Sequence, residues 1–320
     1  MPLTAKIALV LDMVARTGRA PYHEQTAHQA RAEYEKSASV LEIPSAPMHG
    51  VEDLQVPMRD GATIRARLYL PVEPHWAEPL PVLVYYHGGG FTIGSVDTHD
   101  ALCRMFARDA RCAVFSVDYR LAPEHRFPTA VHDAFDAYAW LRAHAAEYAL
   151  DASRFAVGGD SAGGTLATVC AVLARDAGIA PVLQLLFYPA VSAHQQSESH
   201  QRLADGHLLT APTIQWFFDH YVRNDSDRDD WRFAPLDGTR GEPDFRGVAA
   251  AWIGVAEFDP LVDEGEAYAQ KLREAGNEVT LVRYDGVIHE FIKMGAFIDE
   301  ARRAQQQAAH ALRVAFGTGD

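Results

Sequence analysis

The chain has 320 residues, 48% hydrophobic and 22% charged, enough apolar material for one large α/β domain or two small ones. Its 29 Lys and Arg stand against 43 Asp and Glu, a formal charge of -14, which argues against nucleic acid or an anionic membrane surface as partner, since both select cationic surfaces. Cys103, Cys112 and Cys170 are odd in number and lack C-x-x-C spacing, so neither a disulfide framework nor a zinc site is expected.

Taken in order, residues 1 to about 45 read as helices. Leu3, Ile7, Val10, Leu11 and Val14 recur at helical spacing until Gly18 and Pro21, and a second helical stretch runs through Tyr34 and Leu41. The apolar run Ile7 to Leu11 is too short for a signal-peptide core, and no stretch approaches a membrane span, so a cytoplasmic protein with free, buried thiols is expected. Residues 51–58 and 64–70 alternate as half-buried strands do, with Asp60-Gly61 as the turn of a hairpin. Residues 80–86 form a nearly continuous apolar run, the mark of a strand covered on both faces. Strands and helices then alternate: a strand over 113–117, a helix marked by Val131, Phe135, Tyr138 and Leu141, and strands over 155–158 and 182–188. A strand over 249–257, a helix over 264–275, a strand over 278–284 and a C-terminal helix complete the series. This order implies an α/β fold with a mainly parallel sheet, helices on both faces and the hairpin at one edge. Residues 190 to about 247 break the rhythm but hold one good helix. Thr210 can cap it, Pro212 fits its first turn, and Ile214, Phe217, Phe218, Tyr221 and Val222 share a face. The reading is a helical insertion (about 190–235) that joins residues 1–45 as a cap on a catalytic domain spanning 46–320.

The chemistry centres on Gly159-Asp160-Ser161-Ala162-Gly163, a G-x-S-x-G between a strand and an apolar helical pattern. That context makes Ser161 a candidate nucleophile on a tight, strained turn, with small residues needed two places either side and helix amides facing the serine. A phosphate loop would need lysine at 164, where this chain has Gly164. A serine hydroxyl needs a base, and the base a carboxylate to fix its tautomer; in a strand-turn-helix setting the order is Ser, acid, His. His289, just past the strand over 278–284, is the base expected of the fifteen histidines. Asp259, nearest the end of the strand over 249–257, is the acid; Asp263 reads as a helix N-cap and Glu257 as a weaker competitor still in its strand. Ala162 offers a backbone N–H to an oxyanion, and His87-Gly88-Gly89-Gly90 offers the other donors. Gly88, Gly90 and Gly94 nearly spell a dinucleotide turn, but the third glycine falls one place late and no acidic residue follows on cue. His87, ahead of the serine in the chain, reads as a loop-orienting hydrogen bonder.

Together, His87-Gly88-Gly89-Gly90, Gly159-Asp160-Ser161-Ala162-Gly163-Gly164, the run from Asp259 to Gly265, and His289-Glu290-Phe291 resemble the bacterial hormone-sensitive-lipase-like carboxylesterases, as does the segment 118–125. The resemblance covers about residues 80 to 292. It implies an α/β-hydrolase fold with an N-terminal helical cap, a triad of Ser161, Asp259 and His289, and an oxyanion hole of Gly88, Gly89 and Ala162. Ester hydrolysis by such a serine needs no metal or cofactor, the cap helices are expected to enclose a small apolar pocket that favours small, short- to medium-chain esters, and the resemblance also implies a homodimer through the strand at 278–284. One departure is Glu290, where that family more often has glycine. Rival readings are the same triad acting on lactones or amides or in acyl transfer, and a ligand-binding receptor of the same fold. Gibberellin receptors resemble this family but lack the catalytic histidine, so His289 argues against the receptor.

Overall fold

Alternation and continuous apolar runs become strands largely where the sequence puts them. The computed structural model describes residues 2–319. The strands are β1 (Gly50–Pro57), β2 (Thr63–Leu70), β3 (Leu80–Tyr86), β4 (Ala113–Val117), β5 (Leu150–Asp160), β6 (Leu183–Phe187), β7 (Ala250–Phe258) and β8 (Val279–Ile288). They form one sheet in the order β1-β2-β4-β3-β5-β6-β7-β8. β1 and β2 pair antiparallel, β2 runs antiparallel to β4, and from β4 to β8 every pairing is parallel.

Helices α3 (Asp100–Ala110), α4 (Thr129–Ala143), α5 (Ala162–Asp176), α8 (Val262–Glu274) and α9 (Asp299–Phe316) cover the sheet. The pleat sorts side chains to two cores. Val82, Val84 and Tyr86 meet Val131, Leu141 and Leu166 on one face. Leu83 and Tyr85 meet Phe106 and Leu312 on the other. Each such fully buried aliphatic or aromatic side chain contributes roughly 1.5–3 kcal/mol of transfer free energy, so two complete layers hold the central strands rigid. The three cysteines are free and buried within these layers.

Four elements differ from the sequence reading. The second N-terminal helix, α2 (Ala27–Ser37), follows α1 (Ala5–Arg16) and stops short of Leu41. Helix α3 lies where no helix was expected, behind a glycine-rich loop and with no side-chain hydrogen bond from its N-cap, His99. Asp263 is not an N-cap: α8 starts one residue earlier, and Asp263 Oδ2 accepts the N–H of Ser199 at 2.7 Å. β8 runs on to Ile288 with an irregularity opposite Ala256 and Phe258, so His289 directly follows the strand end.

After β6 come α6 (Glu198–Arg202) and α7 (Ala211–Tyr221), with Thr210 Oγ1 accepting the N–H of Thr213 as a cap and proline in the first turn. This segment meets the N-terminal one. Trp216 Nε1–H donates to the carbonyl of Gln25 at 3.2 Å, and the rings of Tyr22 and Phe217 lie 6.5 Å apart. At the other end of the N-terminal segment, the N–H of Thr4 donates to the carbonyl of Gly286 at 3.0 Å, tying it to β8.

Candidate active site

The turn between β5 and α5 holds Ser161 at φ 54° and ψ -122°, a left-handed region that a serine adopts only under constraint. The constraint is visible on both sides. Its N–H donates to Phe187 O at 2.9 Å, and its carbonyl accepts from Thr165 and Ala190 at 3.2 Å each. A side chain at Gly163 would collide with the carbonyl of Tyr86, so only glycine lets α5 approach β3 this closely. The half-buried serine is thus presented at the carboxyl end of the sheet, beside the first amides of α5.

β7 and β8 end beside it. Asp259, fully buried, follows β7, and His289 follows β8. His289 Nδ1–H donates to Asp259 Oδ2 at 2.6 Å, leaving Nε2 3.0 Å from Ser161 Oγ. The other carboxylate oxygen of Asp259 accepts the N–H of Leu261 at 2.9 Å, which fixes its plane. Burial works to push the imidazole pKa down, but the Asp259 carboxylate, with Glu290 and Asp160 adding to it, outweighs burial and holds it above the ordinary histidine value. The three residues named from sequence therefore meet in one hydrogen-bonded line. Glu257, the competitor, points elsewhere and accepts the N–H of Gly286 at 2.8 Å.

The loop after β3 supplies the amides. Gly88 is a correction: its N–H already donates to Asp160 Oδ1 at 3.1 Å, which takes it out of the set free to meet a substrate. The N–H groups of Gly89, Gly90 and Ala162 donate to no acceptor among the described residues. Gly90 has φ 56° and lies under the ring of Phe217 from α7, where any Cβ would clash. His87 is fully buried, donates Nδ1–H to Gly88 O at 2.8 Å, and stacks on Tyr119 with ring centroids 4.3 Å apart. Burial pushes its pKa down to about 3, so it stays neutral and orients the loop, as expected.

Asp160, part of the serine motif, was given no role of its own in the sequence. Tyr85 Oη–H also donates to its Oδ1 at 2.8 Å, and His99 Nε2 lies 3.3 Å from the same oxygen. Burial opposes its charge, yet these partners hold its pKa at about 2. A charged residue closing an otherwise apolar strand was the available signal. Glu290, noted in the sequence as a departure from the family's glycine, had no partner there. It adopts φ 64°, a conformation that costs a non-glycine residue roughly 1 kcal/mol, and its Oε1 accepts the hydroxyl of Tyr34 at 2.6 Å. Among the described residues no group of three His, Cys, Asp or Glu is placed to hold a metal ion, and no helix is long and apolar enough to cross a membrane.

Residues 83–293 match the family described as α/β-hydrolase fold. The chain is 40% identical over 320 residues to an ethyl acetate hydrolase of Pseudomonas putida, covering 98% of this chain and 99% of that one. It is 45% identical over 260 residues to the carboxylic ester hydrolase LipN of Mycobacterium tuberculosis, covering 79% of this chain and 67% of the relative. Among solved structures it is similar to a hyperthermophilic esterase from the archaeon Pyrobaculum calidifontis, with a TM-score of 0.90, 39% identity, and 98% and 99% of the two chains covered. An ester hydrolase from the metagenome of Lake Arreo, complexed with a bipyridine phosphonate derivative, gives a TM-score of 0.92 at 38% identity, again over 98% and 99%. With the sheet order, the serine turn and these relatives in agreement, the chain belongs to the hormone-sensitive-lipase-like carboxylic ester hydrolases of the α/β-hydrolase fold.

Proposed function

We propose that Ser161, Asp259 and His289 form the triad of a serine carboxylesterase that hydrolyses small esters of short to medium acyl chains. The observation that carries the reading is the imidazole lying within hydrogen-bond reach of both the serine hydroxyl and the buried carboxylate, at 3.0 and 2.6 Å. His289 Nε2 takes the hydroxyl proton as Ser161 attacks the ester carbonyl, and Asp259 stabilises the resulting imidazolium. The oxyanion rests on the amides of Gly89, Gly90 and Ala162, with Gly90 taking the role first expected of Gly88. Each such donor is worth roughly 3 kcal/mol in the transition state. The imidazolium then protonates the departing alcohol, and water, activated by the same base, cleaves the acyl-enzyme.

The N-terminal helices and the 190–235 insertion act as a cap over this site. Phe217 seated on Gly90, with Tyr22 beside it, favours a short apolar acyl pocket, and one relative is named for ethyl acetate. The three buried thiols suit a reducing, cytoplasmic setting. The open edge of β8 is the surface for a homodimer, since β8 ends the sheet. Light scattering that returned the monomer mass would sink the dimer.

The deciding experiment is hydrolysis of p-nitrophenyl esters from acetate to palmitate by the wild type and Ser161→Ala. A fall of roughly 10⁴-fold or more in kcat is expected in the variant, with a wild-type optimum at short to medium chains. Activity surviving in Ser161→Ala would refute the nucleophile, and an optimum at palmitate would refute the pocket.

A further inference from the structure

Glu290 directly follows the base, in a backbone conformation that favours glycine, and its carboxylate faces the N-terminal helices. Tyr34 of α2, 5% exposed, donates its hydroxyl to Glu290 Oε1 at 2.6 Å. The same hydroxyl accepts from Lys293 Nζ at 3.1 Å, and the ammonium lies 4.8 Å from the Tyr34 ring centroid. Lys293 is itself buried and stands 3.5 Å from the buried Glu42 Oε1. A buried lysine and a buried glutamate side by side each give the other a partner inside the protein. Here they back a phenol that grips the residue following the base.

We propose that Glu290 is a positioning residue for the base: held by Tyr34, and through Tyr34 by Lys293 and Glu42, it clamps the turn carrying His289 against the N-terminal cap. The proposal rests on the reading of His289 as the base. The neighbouring main chain makes the clamp necessary. His289 stands between the end of β8 and a short 3₁₀ turn, Phe291–Lys293, so no helix or ladder hydrogen bond fixes its own rotamer. Beyond its bonds to Asp259 and Ser161, its ring packs against that of Tyr188, with centroids 4.6 Å apart. The carboxylate also adds negative charge facing the imidazole. The charged and titratable groups around the two side chains are Tyr22, Tyr34 and Glu42 from the N-terminal segment, His99 and Asp160 behind the glycine loop, Tyr188 after β6, Asp259 after β7, and Lys293.

Glu290→Gly, Glu290→Gln, Tyr34→Phe and the Tyr34→Phe/Glu290→Gly double variant separate grip from charge. Their kcat and KM on p-nitrophenyl butyrate are measured across pH, alongside melting temperature. Glu290→Gly relieves the backbone, so it melts close to the wild type, yet it loses roughly tenfold in kcat with little change in KM, as displacement of a catalytic group does. Tyr34→Phe loses a similar factor, and the double variant loses no more than either single one, because both break one contact. Glu290→Gln still accepts the Tyr34 hydroxyl and retains most of kcat, but the acid limb of its pH profile moves to lower pH, since a negative charge favouring imidazolium is gone. The proposal is overturned if Glu290→Gly and Tyr34→Phe both keep wild-type kcat, if their losses multiply in the double variant, or if the acid limb of Glu290→Gln does not move. His289→Ala in the same assay tests the underlying triad separately: if it stays active the base assignment fails, whatever the other variants show.

Discussion

A base held next to a buried carboxylate must be neutral to work, and that sets the acid limit of the enzyme. His289 has its pKa raised by Asp259, so kcat/KM should fall as pH drops through an inflection above 6.5, the value of a free imidazole. A pH profile with its inflection below that value would contradict the electrostatics described. Asp259→Asn keeps the shape but presents the wrong tautomer, and a loss of about 10⁴ in kcat is expected from steady-state kinetics. Gly163→Ala tests the serine turn by sterics alone. Its methyl meets the fixed carbonyl of Tyr86, so denaturant titration should show about 3 kcal/mol or more of lost stability. At this scale the meeting of Ser161, Asp259 and His289, the proposed triad, was legible in sequence because chain order and strand ends leave few choices. Of the amides expected to face an oxyanion, the sequence could not show that the Gly88 N–H is taken by Asp160. Which amide stays free depends on where the Asp160 carboxylate comes to rest, and its other partners, Tyr85 and His99, are 75 and 61 residues away.

Among the elements, α7 matters beyond its own stability. It is capped by Thr210, and Thr210→Ala should cost about 1 kcal/mol in a urea titration. Phe217 on its buried face sits over Gly90, so Phe217→Ala should shift the acyl-length optimum toward longer chains while costing roughly 3 kcal/mol of stability. An unchanged length profile would mean that α7 does not bound the acyl pocket. The elements themselves divide by how they are buried. β3 and β4 were legible to the residue because both faces are covered and the apolar run starts and stops with the strand. β8 was legible only to Tyr284, since Asp285 and Gly286 read as a turn although the strand continues through them. Helix α3 was missed because a loop rich in glycine hides its start and its N-cap makes no side-chain bond.

Over the whole molecule, buried charge ties stability to pH. Burial raises the Glu42 pKa from 4.5 to about 7, although Lys293 works against the rise. The folded protein then binds a proton that the unfolded chain has already released between those two values, so stability falls as pH rises through that window. Glu42→Gln should flatten that slope by up to roughly 3 kcal/mol, read from denaturation midpoints between pH 4.5 and 7. A slope unchanged in the variant would place the pH dependence elsewhere. The long reach of these contacts is also why the clamp on Glu290 was not legible: Tyr34 and Glu290 are 256 residues apart, and no local pattern announces the pair. The bond from Thr4 to Gly286 spans a similar distance and bears on synthesis. A chain emerging from the ribosome can build β3, β5 and the serine turn while β8 is still untranslated. The first helix then waits without its partner, and the nucleophile without its base. On the proposed triad, hydrolytic power therefore arrives late in translation and all at once, and a growing chain carries an inert serine until residue 289 has left the exit tunnel.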